Sequence, residues 1–164
     1  KFLIMKPKKI LALVKDTLEE LLPLMKVDAD VSYTYVKDES PSVKVDFAGE
    51  ELGYLIGARG THLKALQFIV SLIVNKKVRE KDEDAPRVFV NMDVGGYRQE
   101  KIDQIGEQAM QVAEDARASG ESIDMRPMSP ADRRIVHMVL GEVKDITTDS
   151  QGEGRDRYVR VTAA

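Results

Sequence analysis

Apolar residues at Ile10, Leu11, Leu13, Val14, Leu18, Leu21 and Leu22 fall close to helical spacing, with Lys15, Asp16, Glu19 and Glu20 on the other side. This predicts an amphipathic helix from Pro7 that Pro23 ends, because proline lacks the N–H that the next turn needs. The period then changes. "VSYTYV" and "SVKVDF" alternate or cluster β-branched and aromatic residues around the turn-rich "KDESP", which predicts a β-hairpin whose second strand stops at Gly49. A short helix is expected over 51–56 and a longer one from 61 to about 77. Leu63, Leu66, Phe68, Ile69, Leu72 and Ile73 would form its buried face. "REKDEDAP" reads as a charged loop and "RVFVNMDV" as a third strand, period two until Gly95 and Gly96.

From Tyr97 to about Ser119 the helical period returns. Ile102, Ile105, Ala109, Val112, Ala113 and Ala116 make its apolar stripe, and Gly120 stands where a C-cap belongs. "SIDMRPM" reads as a strand. The next helix announces itself by its start: Ser129 as N-cap, Pro130 at the first helical position, and Asp132 three residues after the cap. The C-terminal "KDITTDSQGEGRDRYVRVTAA" reads as a strand, a turn over 152–154 and a last strand. A boundary near Gly95 separates αββααβ from αβαββ. The fold class is therefore α+β, in two small domains over 1–95 and 96–164.

Composition narrows the classes. The 164 residues are 43% hydrophobic and 32% charged, a soluble globular profile, and there is no tryptophan. The absence of cysteine excludes a disulfide scaffold, a thiol nucleophile and every thiolate metal site, and fits a reducing compartment. The longest apolar runs fall short of the roughly 20 residues of a membrane helix, so no integral membrane segment is expected. The opening "KFLIMKPKK" is too short for a signal peptide and lacks an initiator methionine, which points to a start inside a longer protein.

A net charge of −3 argues mildly against a nucleic-acid binder, but the average conceals a local feature. Residues 52–79 contain Arg59, Lys64, Lys76, Lys77 and Arg79 and not one of the 28 acids. That stretch is either an electropositive footprint or a helix whose lysines cluster at one end.

Within it, "LIGARGTHLK" interrupts helix-forming sequence with Gly57 and Gly60. Glycine takes backbone angles barred to other residues and lets another backbone come close. A helix start just beyond presents N–H groups and partial positive charge to an anion. Thr61 is expected to cap that helix, with Ala58 and Arg59 on the loop and Lys64 within a turn. Leu55, Ile56, Leu66 and Ile69 would line a groove for unstacked bases. A bare G-x-x-G is also met as a plain helix–helix turn. The order helix, two strands, helix, G-x-x-G, helix, strand, together with "GYLIGARGTHLKALQFIVSLIVNK", resembles the type II KH domain over roughly 9–94. The resemblance implies a loop that clamps the backbone of about four single-stranded nucleotides.

In the second half, "RRIVH" sets Arg133 and His137 four residues apart on one helix face. By spacing alone the pair is equally a solvated arginine and a packed histidine. "RPMSPADRRIVHMVL" followed by "TTDSQGEGRDRYVRV" resembles the small Arg-x-x-x-His (R-3-H) nucleic-acid-binding domain. Arg126, Arg134, Arg155, Arg157 and Arg160 add planar, bidentate donors suited to phosphate and bases. The resemblance marks Arg133, His137, Arg134, Arg126 and Arg157 as its nucleic-acid-binding residues.

A type II KH domain followed by a small α/β R-3-H domain resembles the bacterial Jag (KhpB/EloR) family across nearly the whole chain. That implies a cytoplasmic protein that binds single-stranded RNA, with single-stranded DNA as an alternative ligand, and that regulates cell elongation or division. Its implied partner is a small single-KH protein or a second copy of the chain. The N-terminal Jag domain and linker usual in the family are not visible here. The competing reading is a KH-fold interaction or dimerisation module with little RNA affinity, for which Leu3–Met5 and Leu22–Met25 are candidate contacts. No Walker loop, G-x-G-x-x-G or H-E-x-x-H is present, and His62 and His137 are the only histidines. A histidine- or thiolate-rich metal site is thereby excluded, though a carboxylate site for magnesium is not. Neither catalysis nor a cofactor is expected.

Overall fold

In the computed structural model, which describes residues 6–37 and 40–163, the chain forms two units, Lys1–Tyr97 and Arg98–Ala164. The hydrophobic periods read above build each of them. In the first, α1 (Pro7–Leu24) has proline at its first helical position and buries Ile10, Val14, Leu18 and Leu22. Thr17 joins them because its hydroxyl donates to the Leu13 carbonyl at 2.7 Å. Pro23 does not stop the helix, which runs on through Leu24 to a C-cap at Met25. Proline's fixed φ is itself helical, so one turn from the end only a single hydrogen bond is lost.

The sheet of this unit has the order β1 (Asp30–Lys37), β2 (Pro41–Ala48), β3 (Phe89–Val94). β1 and β2 are antiparallel from Asp30↔Ala48 to Lys37↔Pro41, and the central β2 buries alternate residues Pro41, Val43, Val45 and Phe47. β3 runs parallel to β2, from Ser42↔Phe89 to Phe47↔Val94. The crossover carries α2 (Gly53–Ile56), a short 3-10 turn (Ala58–Gly60) and α3 (Thr61–Arg79).

α3 buries Leu63, Leu66, Val70, Val74 and Val78. This corrects the face expected from the sequence: Phe68, Ile69 and Leu72 are 63%, 44% and 58% exposed. The line 66, 70, 74, 78 keeps an apolar residue on one face to the end of the helix, whereas the line through Phe68 and Leu72 meets Lys76. Short β-branched valines also let the helix sit close on the sheet.

Two turns apart on α3, Gln67 and Asn75 reach the outer edge of β3. Asn75 donates to the Val88 carbonyl and accepts from the Val88 N–H, both at 2.8 Å, and Gln67 accepts from the Met92 N–H at 3.0 Å. These side chains supply partners that an edge strand otherwise lacks.

In the second unit, α4 (Tyr97–Ser119) buries Ile105 with Ala109, Ala113 and Ala116, and Gly120 follows at φ +70°. Ile102, expected in this stripe, is 41% exposed. α5 (Pro130–Leu140) is capped by Ser129, whose Oγ accepts from the Asp132 N–H at 3.3 Å. Asp132 is buried and pairs with Lys101 Nζ at 2.6 Å. The helix packs Val136 and Leu140 on a sheet of order β4 (Ile123–Asp124), β6 (Tyr158–Ala163), β5 (Ile146–Gln151). The strand expected over "SIDMRPM" shrinks to two residues, since Pro127 has no N–H to extend the ladder.

Asn75→Leu keeps the bulk but leaves the buried Val88 N–H and C=O unpaired. Urea unfolding should show a loss of about 2–3 kcal/mol, against little change for a leucine at exposed Lys76.

Candidate nucleic-acid interface

The G-x-x-G loop has an unusual backbone. Gly57 has φ +67° and ψ −176°, Arg59 φ +55° and ψ +28°, and Gly60 φ +81° and ψ +19°. Three of four successive residues thus have positive φ, and one of them is an arginine, for which the left-handed region is uncommon. The reversal leaves Ala58 and Arg59 at its tip, while the N–H groups of Gly57, Gly60 and Thr61 are bonded within the turn to the carbonyls of Gly53, Gly57 and Ala58. Ala58 and Arg59 are exposed, as are Thr61 and Lys64 beyond them. Thr61 does not cap α3: it has helical angles itself, and Gly60 occupies the cap position without a side chain to bond.

Each glycine is also required by a neighbour. A Cβ on Gly60 would lie 3.0 Å from Tyr97 Cε1, and one on Gly57 would lie 2.3 Å from His62 Cγ. The sequence reading missed these two rings as parts of the loop. Their signal was only proximity in sequence for His62, and for Tyr97 there was none.

Of the expected groove residues, Leu55 and Leu66 are 2% and 7% exposed and belong to the core, so they cannot line a ligand groove. Leu66 lies on the sheet-facing line of α3, and Leu55 packs inward from α2. Ile56 is half-buried and Ile69 is 44% exposed, so these two remain at the surface. Apolar surface continues to Phe68, Leu72 and Phe89, over whose ring Arg87 lies at 5.4 Å from the centroid.

In the second unit a cavity of about 430 Å³ is lined by Pro130, Arg133, Arg134, His137, Met138, Ser150 and Arg157. It brings four of the five expected residues together; Arg126 is not among them and donates instead to Gln108 at 3.3 Å. Arg133 is half-buried, and its Nε is buried with no hydrogen-bond partner among the described residues. His137 is pinned: Nδ1 bonds the Thr148 hydroxyl at 2.8 Å and Nε2 the Ser150 hydroxyl at 2.9 Å. With both ring nitrogens engaged, His137 fixes the cavity wall, and the guanidinium groups are the donors left to meet an anion. Arg160 is committed elsewhere. It grips Asp124 with two bonds of 2.6 and 2.8 Å, and this holds the Asp124 carboxyl below its ordinary range.

Residues 12–82 match the family model described as KhpA/KhpB, KH domain, and residues 103–163 match the R-3-H domain. The chain is thus a KH protein with an R-3-H domain behind the KH unit. It is similar to RNA-binding protein KhpB of Clostridium symbiosum, with 32% identity over 145 residues, 88% of this chain and 62% of the relative. The protein of that name in Bacillus subtilis is 27% identical over 129 residues, 77% of this chain and 59% of the relative. In Streptococcus pneumoniae the identity is 28% over 136 residues, 82% of this chain and 39% of the relative. With these two domains in this order, the chain belongs to the bacterial KhpB family, and it spans between 39% and 62% of the length of these three relatives.

Arg59 in the left-handed region costs stability that a folding constraint would not select. Arg59→Gly should therefore raise stability by about 0.5 kcal/mol, the relief of strain less glycine's extra chain entropy. A denaturation midpoint at or below the parent's would show that the loop is unstrained.

Proposed function

We propose that this chain binds single-stranded RNA, holding the sugar-phosphate backbone on the G-x-x-G loop of its first unit. The observation that carries this reading is the left-handed Arg59 between Gly57 and Gly60, exposed on the loop that leads into α3. Gly57, Ala58, Arg59, Gly60, Thr61 and Lys64 meet phosphate, and Ile56 and Ile69 flank the bases. The family and the name of its relatives, RNA-binding protein, support it. The R-3-H cavity takes a second stretch of strand through Arg133, Arg134 and Arg157, with His137 as its wall and Arg126 at the margin. Single-stranded DNA is the alternative ligand. The role is binding and not catalysis, in the cytoplasm, in control of cell elongation or division as the family resemblance implies.

Two weak sites on one chain act together. Once the first is occupied, the second meets the same strand at a raised effective concentration, which can add about 10² in avidity. Lengthening a labelled RNA from about four nucleotides to a dozen should tighten binding in a step. Arg133→Ala with His137→Ala should remove most of that step and spare the shortest RNA. Ala58→Asp with Arg59→Asp should weaken all lengths by about tenfold or more, and log affinity should fall with log salt at a slope of about −2 to −3.5 for three to five phosphates. Parent-like binding by the aspartate double mutant would refute the clamp.

A second reading is favoured by one observation, the exposed Phe68, Ile69 and Leu72 on α3. Apolar side chains in a row on a helix suit a helix-to-helix contact with a second copy or with a small single-KH protein. Leu24 and Met25, at 81% and 45% exposed, extend the apolar surface of the unit, while Leu22 is core and Leu3–Met5 lie outside the described residues. Sedimentation at tens of micromolar should show a dimer that Ile69→Asp dissociates without loss of thermal stability. Dimerisation without RNA binding would make this the primary function.

A further inference from the structure

The ring of His62 occupies the space that a side chain at position 57 would fill: a Cβ there would lie 2.3 Å from its Cγ and 2.6 Å from its Nδ1. The same Nδ1 is 2.7 Å from the Tyr54 carbonyl oxygen. A carbonyl only accepts, so Nδ1 carries the proton and donates. Tyr54 lies in the four-residue α2, where the Gly57 N–H takes the Gly53 carbonyl and the chain then reverses, so the helix does not continue to supply the next partner. One side chain from the first turn of α3 therefore reaches back over the loop, satisfies the helix before it and covers its first glycine.

The core does not require this. His62 is exposed, and the glycine it covers donates its N–H to the Gly53 carbonyl at 3.0 Å. On the other side of the loop, Gly60 is buried against Tyr97. The half of the loop away from the core is thus the half that His62 braces.

We propose that His62 is a positioning residue of the phosphate clamp, holding Gly57 and the turn of Arg59 in the binding conformation before RNA arrives. A loop already in that conformation does not lose its freedom on binding, so affinity rises without any contact between the imidazole and the ligand. The proposal rests on the reading of the loop as the RNA clamp, and it is separable from that reading by experiment.

Two variants divide the chemistry. His62→Asn keeps an N–H donor at the place of Nδ1, and His62→Leu fills similar space but donates nothing. In the full chain, His62→Leu should speed amide hydrogen exchange at residues 57–60 and weaken binding of a fluorescein-labelled random-sequence RNA of about a dozen nucleotides by about fivefold, the worth of one hydrogen bond. His62→Asn should restore both. Loop exchange and affinity unchanged in His62→Leu would overturn the proposal. So would a failure of His62→Asn to rescue either, because the imidazole would then act other than through its donor. Loss of binding in the Ala58/Arg59 aspartate mutant alongside an unaffected His62→Leu leaves the clamp standing and removes His62 from it. An aspartate mutant that binds like the parent removes both.

Discussion

β2 and β3 run parallel, and most of the first unit follows from that. Parallel strands cannot be joined by a tight turn, so the chain must leave β2 at one end of the sheet, cross it and enter β3 from the opposite end. The crossing element is α3, anchored along its length by Leu66, Val70, Val74 and Val78. It is tied to β3 in its first half by Gln67 on Met92 and towards its far end by Asn75 on Val88. With the helix fixed in angle and register, its N-terminus is fixed too. The reversal that feeds it turns from α2 over residues 57–60, with positive φ at Gly57, Arg59 and Gly60. The backbone of the loop is in this sense a consequence of the sheet, and the exposure of Ala58 and Arg59 is a consequence of the backbone.

What the sequence carried plainly was local. Gly57 and Gly60 marked the reversal, Ser129 with Pro130 marked the start of α5, and Tyr97 to Ser119 came out as one helix because its apolar period never breaks. What it did not carry was the choice between two adjacent apolar lines on α3. Beside the buried Leu63 and Leu66, the bulkier Phe68, Ile69, Leu72 and Ile73 satisfy helical spacing as well as Val70, Val74 and Val78 do. The sheet decides, because valines permit the closer approach and reach the whole length of the crossing. The same error placed Leu55 and Leu66 in the groove. Strand β4 failed for another reason: Pro127 has no N–H for the ladder, and only Ile123 and Asp124 pair, with Val161 and Arg160.

The arginines of the second unit show how far composition alone can lead. Arg126, Arg133, Arg134, Arg155, Arg157 and Arg160 are equivalent as letters, but the fold gives them different work. Arg160 is spent on Asp124 across the ladder between β4 and β6, and Arg126 leans on Gln108. Arg133, Arg134 and Arg157 are gathered around one cavity, against a histidine that two hydroxyls of β5 hold still. The motif spacing placed Arg133 and His137 on one helix face, and both line this cavity, the arginine as a donor and the histidine as a support.

The charge of the chain follows the same logic of position over sum. The net charge is −3, and neither candidate site reflects it. The loop lies in a segment without a single acid, and charges farther away than roughly 8–10 Å are screened at physiological salt. A polyanion approaching the protein meets the surrounding acids first as a weak repulsion, and salt weakens that repulsion together with the attraction of the sites. Only the groups within a Debye length of the bound strand remain to be counted. At the loop, Arg59, Lys64 and the helix start favour the anion.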